Sequence, residues 1–303
     1  MSLLVVGSVA LDSVETPFGK ANEVLGGSAT FFAASASNLT SVQVVGVVGN
    51  DYPVEKLEPL KKRGVDLSGI EKAEGRSFRW RGRYRHDLNV AETLETHLGV
   101  FSNFSPKIPA QFRKAPFVFL GNIDPRLQLD VLTQVERPKL VACDTMNFWI
   151  ESRRPDVLKL LERVDCITLN DAEARQLTEQ NNLVKAAQWI MKQGPSLVII
   201  KKGEHGAFMF TKGTVFFAPA YPLEEVFDPT GAGDSFAGGF MGYLAKSGDI
   251  GDASLRRAVI YGSAMGSFAV EKFSIERLLE VTPAQLSARV ADFRKLVAFE
   301  EEL

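Results

Sequence analysis

Cysteine is nearly absent: the 303 residues contain two, Cys143 and Cys166. Both sit in apolar runs, VACD and DCITL. That excludes a disulfide framework or a redox pair and leaves two buried, reduced thiols. Histidine is as scarce, and His86, His97 and His205 fall at no metal-ligand spacing. Charge of one sign is lacking too. With 35 basic and 37 acidic residues the net charge is −2, which gives no general pull toward nucleic acid or an anionic membrane. No apolar run approaches the roughly 18 residues of a membrane span. The opening MSLLVVGSVALD has no basic leader and reads as a first strand, not a signal peptide. No repeat, low-complexity tract or Pro/Gly/Ser linker divides the chain. These absences leave a soluble, cytoplasmic globular protein. Its hydrophobic fraction of 45% and its length build a large core without staples.

Short apolar runs alternate with helical patterns. The spacing predicts buried strands at 3–9, 42–48, 117–121, 139–144, 166–169 and 197–201. Helices are predicted near 28–38, 54–64, 126–136, 154–164 and 182–193. Strand followed by helix, repeated, implies an α/β fold with a parallel sheet covered on both faces. Residues 207–218 read as a hairpin turning at Thr211-Lys212-Gly213. From Asp234 onward the pattern is mostly helical. One stretch departs from the rhythm. In FRWRGRYR (78–85), Phe78, Trp80, Gly82 and Tyr84 alternate with four arginines. Period two with one aromatic and one basic face belongs to a smaller antiparallel sheet with a wet side, projecting from the main body.

The segment DPTGAGDSFAGGF (228–240) carries the chemistry. Gly231, Ala232 and Gly233 leave backbone N–H groups free for an anion at the start of a helix. Asp234 follows at once, where bound polyphosphate would repel a free carboxylate. The carboxylate makes sense facing a hydroxyl that is about to be deprotonated and phosphorylated. The plainer alternative is an aspartate capping a tight turn. A dinucleotide fingerprint is excluded because Phe236 stands where the third glycine belongs. A Walker A loop is excluded because the only Gly-Lys pair, Gly19-Lys20, is followed by Ala21.

This segment resembles the C-terminal signature of the ribokinase (PfkB) family of carbohydrate and nucleoside kinases. Asp12 after the first strand, Gly26-Gly27, VVGVVGND (44–51), the N-x-x-E of Asn170 and Glu173, and LVIIKKGEHGAF (197–208) extend the resemblance over nearly the whole chain. It implies one Rossmann-like parallel-sheet sandwich over 1–303. A small β-sheet lid would be inserted at about 11–26 and 74–104, and FRWRGRYR would be a lid strand, serving also as a homodimer surface. ATP and Mg²⁺ would be required, and the acceptor would be a small molecule.

The resemblance also implies residue roles. Asp234 would be the catalytic base, with Gly231, Ala232 and Gly233 as its anion hole. Asn170 and Glu173 would organise Mg²⁺ through water. Lys201, Lys202, Gly203 and Gly206 would serve ATP. Asp12 would hold substrate hydroxyls. Gly26 and Gly27 would let substrate approach the backbone, and Asp144 and Asn147 would face the acceptor. Asp228 and Thr230 would hold a monovalent cation such as K⁺. One departure stands out. Where the family has a sugar-binding asparagine, four positions after the second glycine, this chain has Phe31, preceded by Thr30. Either Thr30 takes over, or the acceptor is not a simple sugar, or Phe31 stacks on a nucleobase, or it is a core residue. The expected activity is phosphorylation of a hydroxymethyl group on a sugar-like acceptor. The alternatives are a nucleoside kinase on the same fold and a catalytically silent sensor.

Overall fold

The computed structural model describes residues 1–298. The strands, in chain order, are β1 (Leu3–Val6), β2 (Ala10–Thr16), β3 (Gly19–Gly26), β4 (Val42–Val48), β5 (Val65–Lys72), β6 (Phe78–Tyr84) and β7 (Ala91–His97). They continue with β8 (Phe117–Leu120), β9 (Leu140–Asp144), β10 (Cys166–Asn170), β11 (Leu197–Lys201), β12 (Ala207–Thr211) and β13 (Val215–Ala218). Nine of them form one sheet in the order β13-β12-β11-β10-β9-β8-β1-β4-β5. It is parallel from β11 to β5, and β12 and β13 close one edge antiparallel.

Alternation along each strand divides the interior into two cores. Leu3 and Val5 point into one and Leu4 and Val6 into the other. The first core is roofed by the helices Ser28–Ala36, Ala232–Ser247 and Asp252–Ala269. The second is roofed by Pro125–Gln134, Arg154–Leu161, Asp171–Thr178 and Leu183–Met191. The helix Ala232–Ser247 contains interior glycines, each costing about 1 kcal/mol in helix propensity relative to alanine. Close packing explains them. A Cβ on Gly238 would stand 2.4 Å from the Phe32 carbonyl oxygen, and one on Gly239 would stand 2.6 Å from that of Tyr261. The helix lies almost backbone to backbone between its neighbours, which fixes the loop at its N-terminus.

Four departures from the sequence expectations are physical. β1 stops at Val6, short of the expected 3–9, and at the next residue, Gly7, the chain is packed so closely that a Cβ would lie 2.6 Å from Ser28 Oγ. β5 has no counterpart among the expected strands; it is a half-exposed edge strand with no continuous apolar run to announce it. The expected helix at 54–64 begins as a 3₁₀ turn over Val54–Leu57 and becomes α-helical only at Glu58–Lys62. The fourth concerns the small sheet, which has the order β3-β2-β6-β7 and is mixed, not antiparallel. β2 and β6 pair in parallel, because each begins a separate excursion from the same end of the main sheet. Arg79 bonds Glu23 at 2.8 Å and Asp51 at 2.7 Å, and Arg83 meets Glu15 at 3.3 Å, so much of the basic face is spent on neighbouring carboxylates.

Candidate active site

Parallel strands deliver their C-terminal ends to one edge of the sheet, the edge where open α/β sheets receive ligands. Asp144 ends β9, Asn170 ends β10 and Lys201 ends β11, all at this edge. Lys201 Nζ lies 2.9 Å from Asp144 Oδ2, with side chains only 16% and 7% exposed. Thr168 Oγ1 donates to the same oxygen at 3.1 Å, and the Thr145 N–H donates to Asp144 Oδ1 at 2.7 Å. Both carboxylate oxygens are therefore occupied. Asp144 thus holds Lys201 in place. The lysine in turn faces the glycine loop, since a Cβ on Gly233 would stand 2.9 Å from Nζ. Lys201 and Lys202, equivalent in the sequence, are separated by the fold. Lys202 sits in the turn after β11, its N–H bonded to the Gly206 carbonyl at 2.7 Å, and no ion pair of its side chain is formed among the described residues.

Gly231 is the N-cap of the helix carrying Asp234 and is left-handed at φ 71°, a conformation that favours glycine. A Cβ there would collide with the ring of Phe31 at 2.2 Å. Phe31 is 2% exposed and is the floor of this loop, so its ring is not free to stack on a base. The Ala232 N–H is turned to the Pro229 carbonyl at 3.2 Å, which removes it from the expected set of three donors. Gly231 and Gly233 remain, joined by Asp234 itself, whose N–H lies in the unpaired first turn of the helix.

Asp234 is half-buried. Burial pushes its carboxyl up to about 7; the Asp144 charge adds to the rise and the Lys201 ammonium opposes it. Burial alone would lower Lys201, but Asp144 and Glu173 outweigh it and hold the ammonium above its ordinary value. Asn170 and Glu173 form a capping box: Asn170 Oδ1 accepts from the Glu173 N–H at 2.8 Å, and Glu173 Oε2 accepts from the Asn170 N–H at 2.7 Å. Glu173 is also lifted to about 7 by burial, then by Asp144, against Lys201. The cap and the charged site are thus the same residues. Their oxygen donors suit a hydrated Mg²⁺, held through water and phosphate and not in a protein cage.

Asp12 approaches from β2, only 5% exposed. Burial raises it to about 7; the Gly27 N–H opposes this, and the charges of Asp228 and Asp234 add to it. Gly26 serves Asp12 directly, since a Cβ there would fall 2.0 Å from Asp12 Oδ2. At Gly27, φ is 91° and a Cβ would fall 2.5 Å from the Ser8 carbonyl oxygen. The space a side chain would take at these glycines is filled by the protein's own carboxylate and backbone. Two buried hydroxyls lack a partner: Tyr52 Oη, close enough to Asp12 to feel its charge, and Thr30 Oγ1, one turn into the helix after Gly27, each residue 3% exposed. Tyr52 carries no signal in the sequence; nothing in GNDYP distinguishes it from a core tyrosine. Asn147 lies exposed in the first turn of a short helix.

Asp228 accepts from the Thr230 N–H at 2.9 Å and from the Ser274 N–H at 3.2 Å, and Thr230 Oγ1 lies 3.3 Å from Tyr84 Oη of β6. These oxygens anchor the loop and tie it to the small sheet. Gly203 is left-handed at φ 52°, and a Cβ on it would fall 2.0 Å from Asn89 Oδ1 in the β6–β7 loop; a Cβ on Gly206 would fall 2.1 Å from the Ala218 carbonyl oxygen. The small sheet therefore reaches both the signature loop and the turn after β11.

The chain is similar to known proteins in sequence and fold. The model of the pfkB family carbohydrate kinases matches residues 3–280. A cytidine kinase from Thermococcus kodakarensis is 32% identical over 248 residues, covering 80% of this chain and 87% of that protein. Among solved structures, a nucleoside kinase from Burkholderia thailandensis in complex with inosine has a TM-score of 0.81 at 20% identity, covering 97% of this chain and 98% of that one. A fructokinase double mutant from Vibrio cholerae, bound to fructose, ADP and potassium, has a TM-score of 0.79 at 19% identity, covering 95% and 98%. These two structures share the ribokinase-like fold, an α/β sandwich whose separate small sheet is consistent with a lid. The chain belongs to the pfkB family of carbohydrate kinases, and it is a phosphotransferase with an alcohol group as acceptor.

Proposed function

We propose that the whole chain works as one kinase domain, moving the γ-phosphoryl group of ATP onto the hydroxymethyl group of a small sugar-like acceptor. One observation carries the assignment of roles: Asp234, Lys201 and the free N–H groups of the glycine loop meet at the sheet edge, with Asp12 close enough for its charge to feel Asp234. In this reading Asp234 takes the proton of the acceptor hydroxyl. The N–H groups of Gly231 and Gly233, with the Lys201 ammonium, stabilise the charge of the transferred group. Asp144 keeps Lys201 in place, and Asp12 orients acceptor hydroxyls. Mg²⁺, held through water near Asn170 and Glu173, would neutralise phosphate charge. Asp228 and Thr230 shape the signature loop and are the residues that would hold a monovalent cation such as K⁺. The setting proposed is the cytoplasm, with pairing of two copies through the outer face of the lid.

The likeness to a cytidine kinase favours a nucleoside over a free sugar as acceptor. The test is ADP release across pentoses, hexoses, sugar phosphates and nucleosides, with Asp234→Asn as control. Turnover with one class, lost in the control, is the expected result. ADP release indifferent to every acceptor and to Asp234 would sink the reading.

A further inference from the structure

The aromatic face of β6 holds three large side chains that neither core uses, and two of them have other partners. Phe78 stacks on Phe101 at 5.2 Å, and Tyr84 is buried against Thr230. Trp80, between them, is only half-buried and belongs to neither hydrophobic core. In the parallel β2–β6 pairing Trp80 stands directly beside Asp12, with no bulge between these strands. Paired residues project from the same face of a sheet, and neighbouring strands lie about 4.8 Å apart. The indole and the Asp12 carboxylate therefore leave the lid side by side.

The indole is also fixed in orientation. A Cβ on Gly82 would fall 2.0 Å from its six-membered ring, so the ring lies along the strand over a residue with no side chain. Nε1–H donates to Thr93 Oγ1 at 3.2 Å. One face of the ring is backed by the lid and its edge is tied down. The other aromatics near the loop are committed: Phe31 under Gly231 and Phe32 on Phe119 at 4.4 Å.

We propose that Trp80 is the stacking platform of the acceptor site, and that the acceptor is a nucleoside, its ribose hydroxyls on Asp12 and its base on the indole. The separation suits that molecule, because a base is joined directly to the ring that carries the hydroxyls. A free sugar would leave the indole without a planar partner. The proposal rests on the kinase reading above and deepens it.

The test compares cytidine, uridine, inosine and D-ribose as acceptors for wild type, Trp80→Ala and Trp80→Phe. Trp80→Ala should raise KM for the nucleosides by about 5- to 150-fold, the span measured for stacking one base on one aromatic ring, with kcat little changed. Trp80→Phe should recover much of this. Gly82→Ala, which keeps the tryptophan and displaces it, should act in the same direction, and it covers the case that Trp80→Ala folds poorly. A second readout does not need turnover. Nucleosides without ATP should quench tryptophan fluorescence in wild type but not in Trp80→Phe, which retains Trp149 and Trp189. Unchanged nucleoside KM in Trp80→Ala, or a preference for D-ribose indifferent to residue 80, would overturn the proposal while leaving the kinase standing. Absent turnover with a Trp80-dependent quench would fault the kinase reading and keep the stacking site. Absent quench in wild type would remove the site.

Discussion

The two halves of the site are built on opposite terms. On the phosphoryl side the charges are matched: Lys201 answers Asp144 at 2.9 Å, and its ammonium also lowers Glu173 and Asp234. On the acceptor side Asp12 pairs with no cation among the described residues; it has one backbone N–H, and the Tyr52 hydroxyl, near enough to feel its charge, lacks a partner. Buried polar groups are costly unless bonded. In the proposed roles the phosphoryl half offers an incoming group a cation and free N–H donors, whereas the acceptor half offers a carboxylate with little protein of its own to answer it. This division lets one half do the same chemistry whatever the other half selects.

The strongest challenge is to remove the base. Asp234→Asn should lower turnover by a factor on the order of 10² to 10⁴ while nucleotide binding persists. A variant within about threefold of wild type would exclude Asp234 from proton transfer. In wild type the rate should rise with pH through about 7, where Asp234 ionises. Stability should run the other way. A carboxyl raised in the folded state keeps its proton while the unfolded chain loses its own near the ordinary value, so stability declines between about 4 and about 7. Asp234→Asn should remove that part of the decline, giving a higher Tm than wild type at pH 8 and little difference at pH 5. Equal pH dependence of Tm in both proteins would show that the carboxyl is not raised.

Lys201→Met attacks the matching itself. Loss of one electrostatic contact to the transferred group should reduce kcat by roughly 10² to 10³. Without the ammonium that lowers Asp234, the acid limb of the pH–rate profile should move to higher pH. Leaving Asp144 buried and unpaired should also cost about 3–5 kcal/mol of stability. The double variant Lys201→Met/Asp144→Asn should recover Tm but not rate. If the double variant recovers both, the lysine is structural and the phosphoryl half loses its cation.

Asp12→Ala probes the opposite half. It should raise the acceptor KM at least tenfold or abolish turnover, because a site built for hydroxyl hydrogen bonds discriminates strongly on them. The Kd of a nucleotide analogue, measured without acceptor, should stay within about threefold, below what a lost hydrogen bond of ~1 kcal/mol produces. Equal damage to both ligands would dissolve the division between the halves.

The phosphoryl half was the more legible in sequence, and the reason is local. DPTGAGD places its glycines and its carboxylate within seven residues, so a candidate anion loop can be read from spacing, while the choice of base over turn cap comes from the resemblance of the longer segment to the family signature. The strands carrying Asn170 and Lys201 announce themselves as apolar runs. The identity of the lysine's partner was not legible, because Asp144 and Lys201 stand 57 residues apart and meet only through the β9-β10-β11 order. The acceptor half is assembled from β2, the helix at 28–36 and the loop after β4. No motif spans such pieces, so Tyr52 looks like core in sequence and Phe31 like a stacking candidate. Gly26 is the sharpest instance. A sequence shows that a side chain is missing but not whose atoms fill the space, and here they belong to Asp12.

Glu173→Gln should have the smallest effect and draws the finest distinction. Glu173 has two roles, one in the helix cap and one in the charge balance. Glutamine preserves the first: its side-chain oxygen can still accept from the Asn170 N–H, and either residue completes a capping box. Tm should therefore change little at pH 5, where the raised Glu173 carboxyl is already neutral. What is lost is a negative charge beside Lys201 and the place proposed for a water-held Mg²⁺. The Mg²⁺ concentration for half-maximal rate should rise several-fold, and kcat at saturating Mg²⁺ should fall less than in any variant above. Glu173→Ala separates the two roles, because it removes the cap as well and should cost about 1 kcal/mol of stability at pH 5, where the carboxyl is neutral in the folded protein and its charge plays no part. An unchanged Mg²⁺ titration in Glu173→Gln, with a lowered Tm in Glu173→Ala, would make this glutamate a cap and nothing more. The charge balance of the phosphoryl half would then rest on Asp144, Lys201 and Asp234 alone.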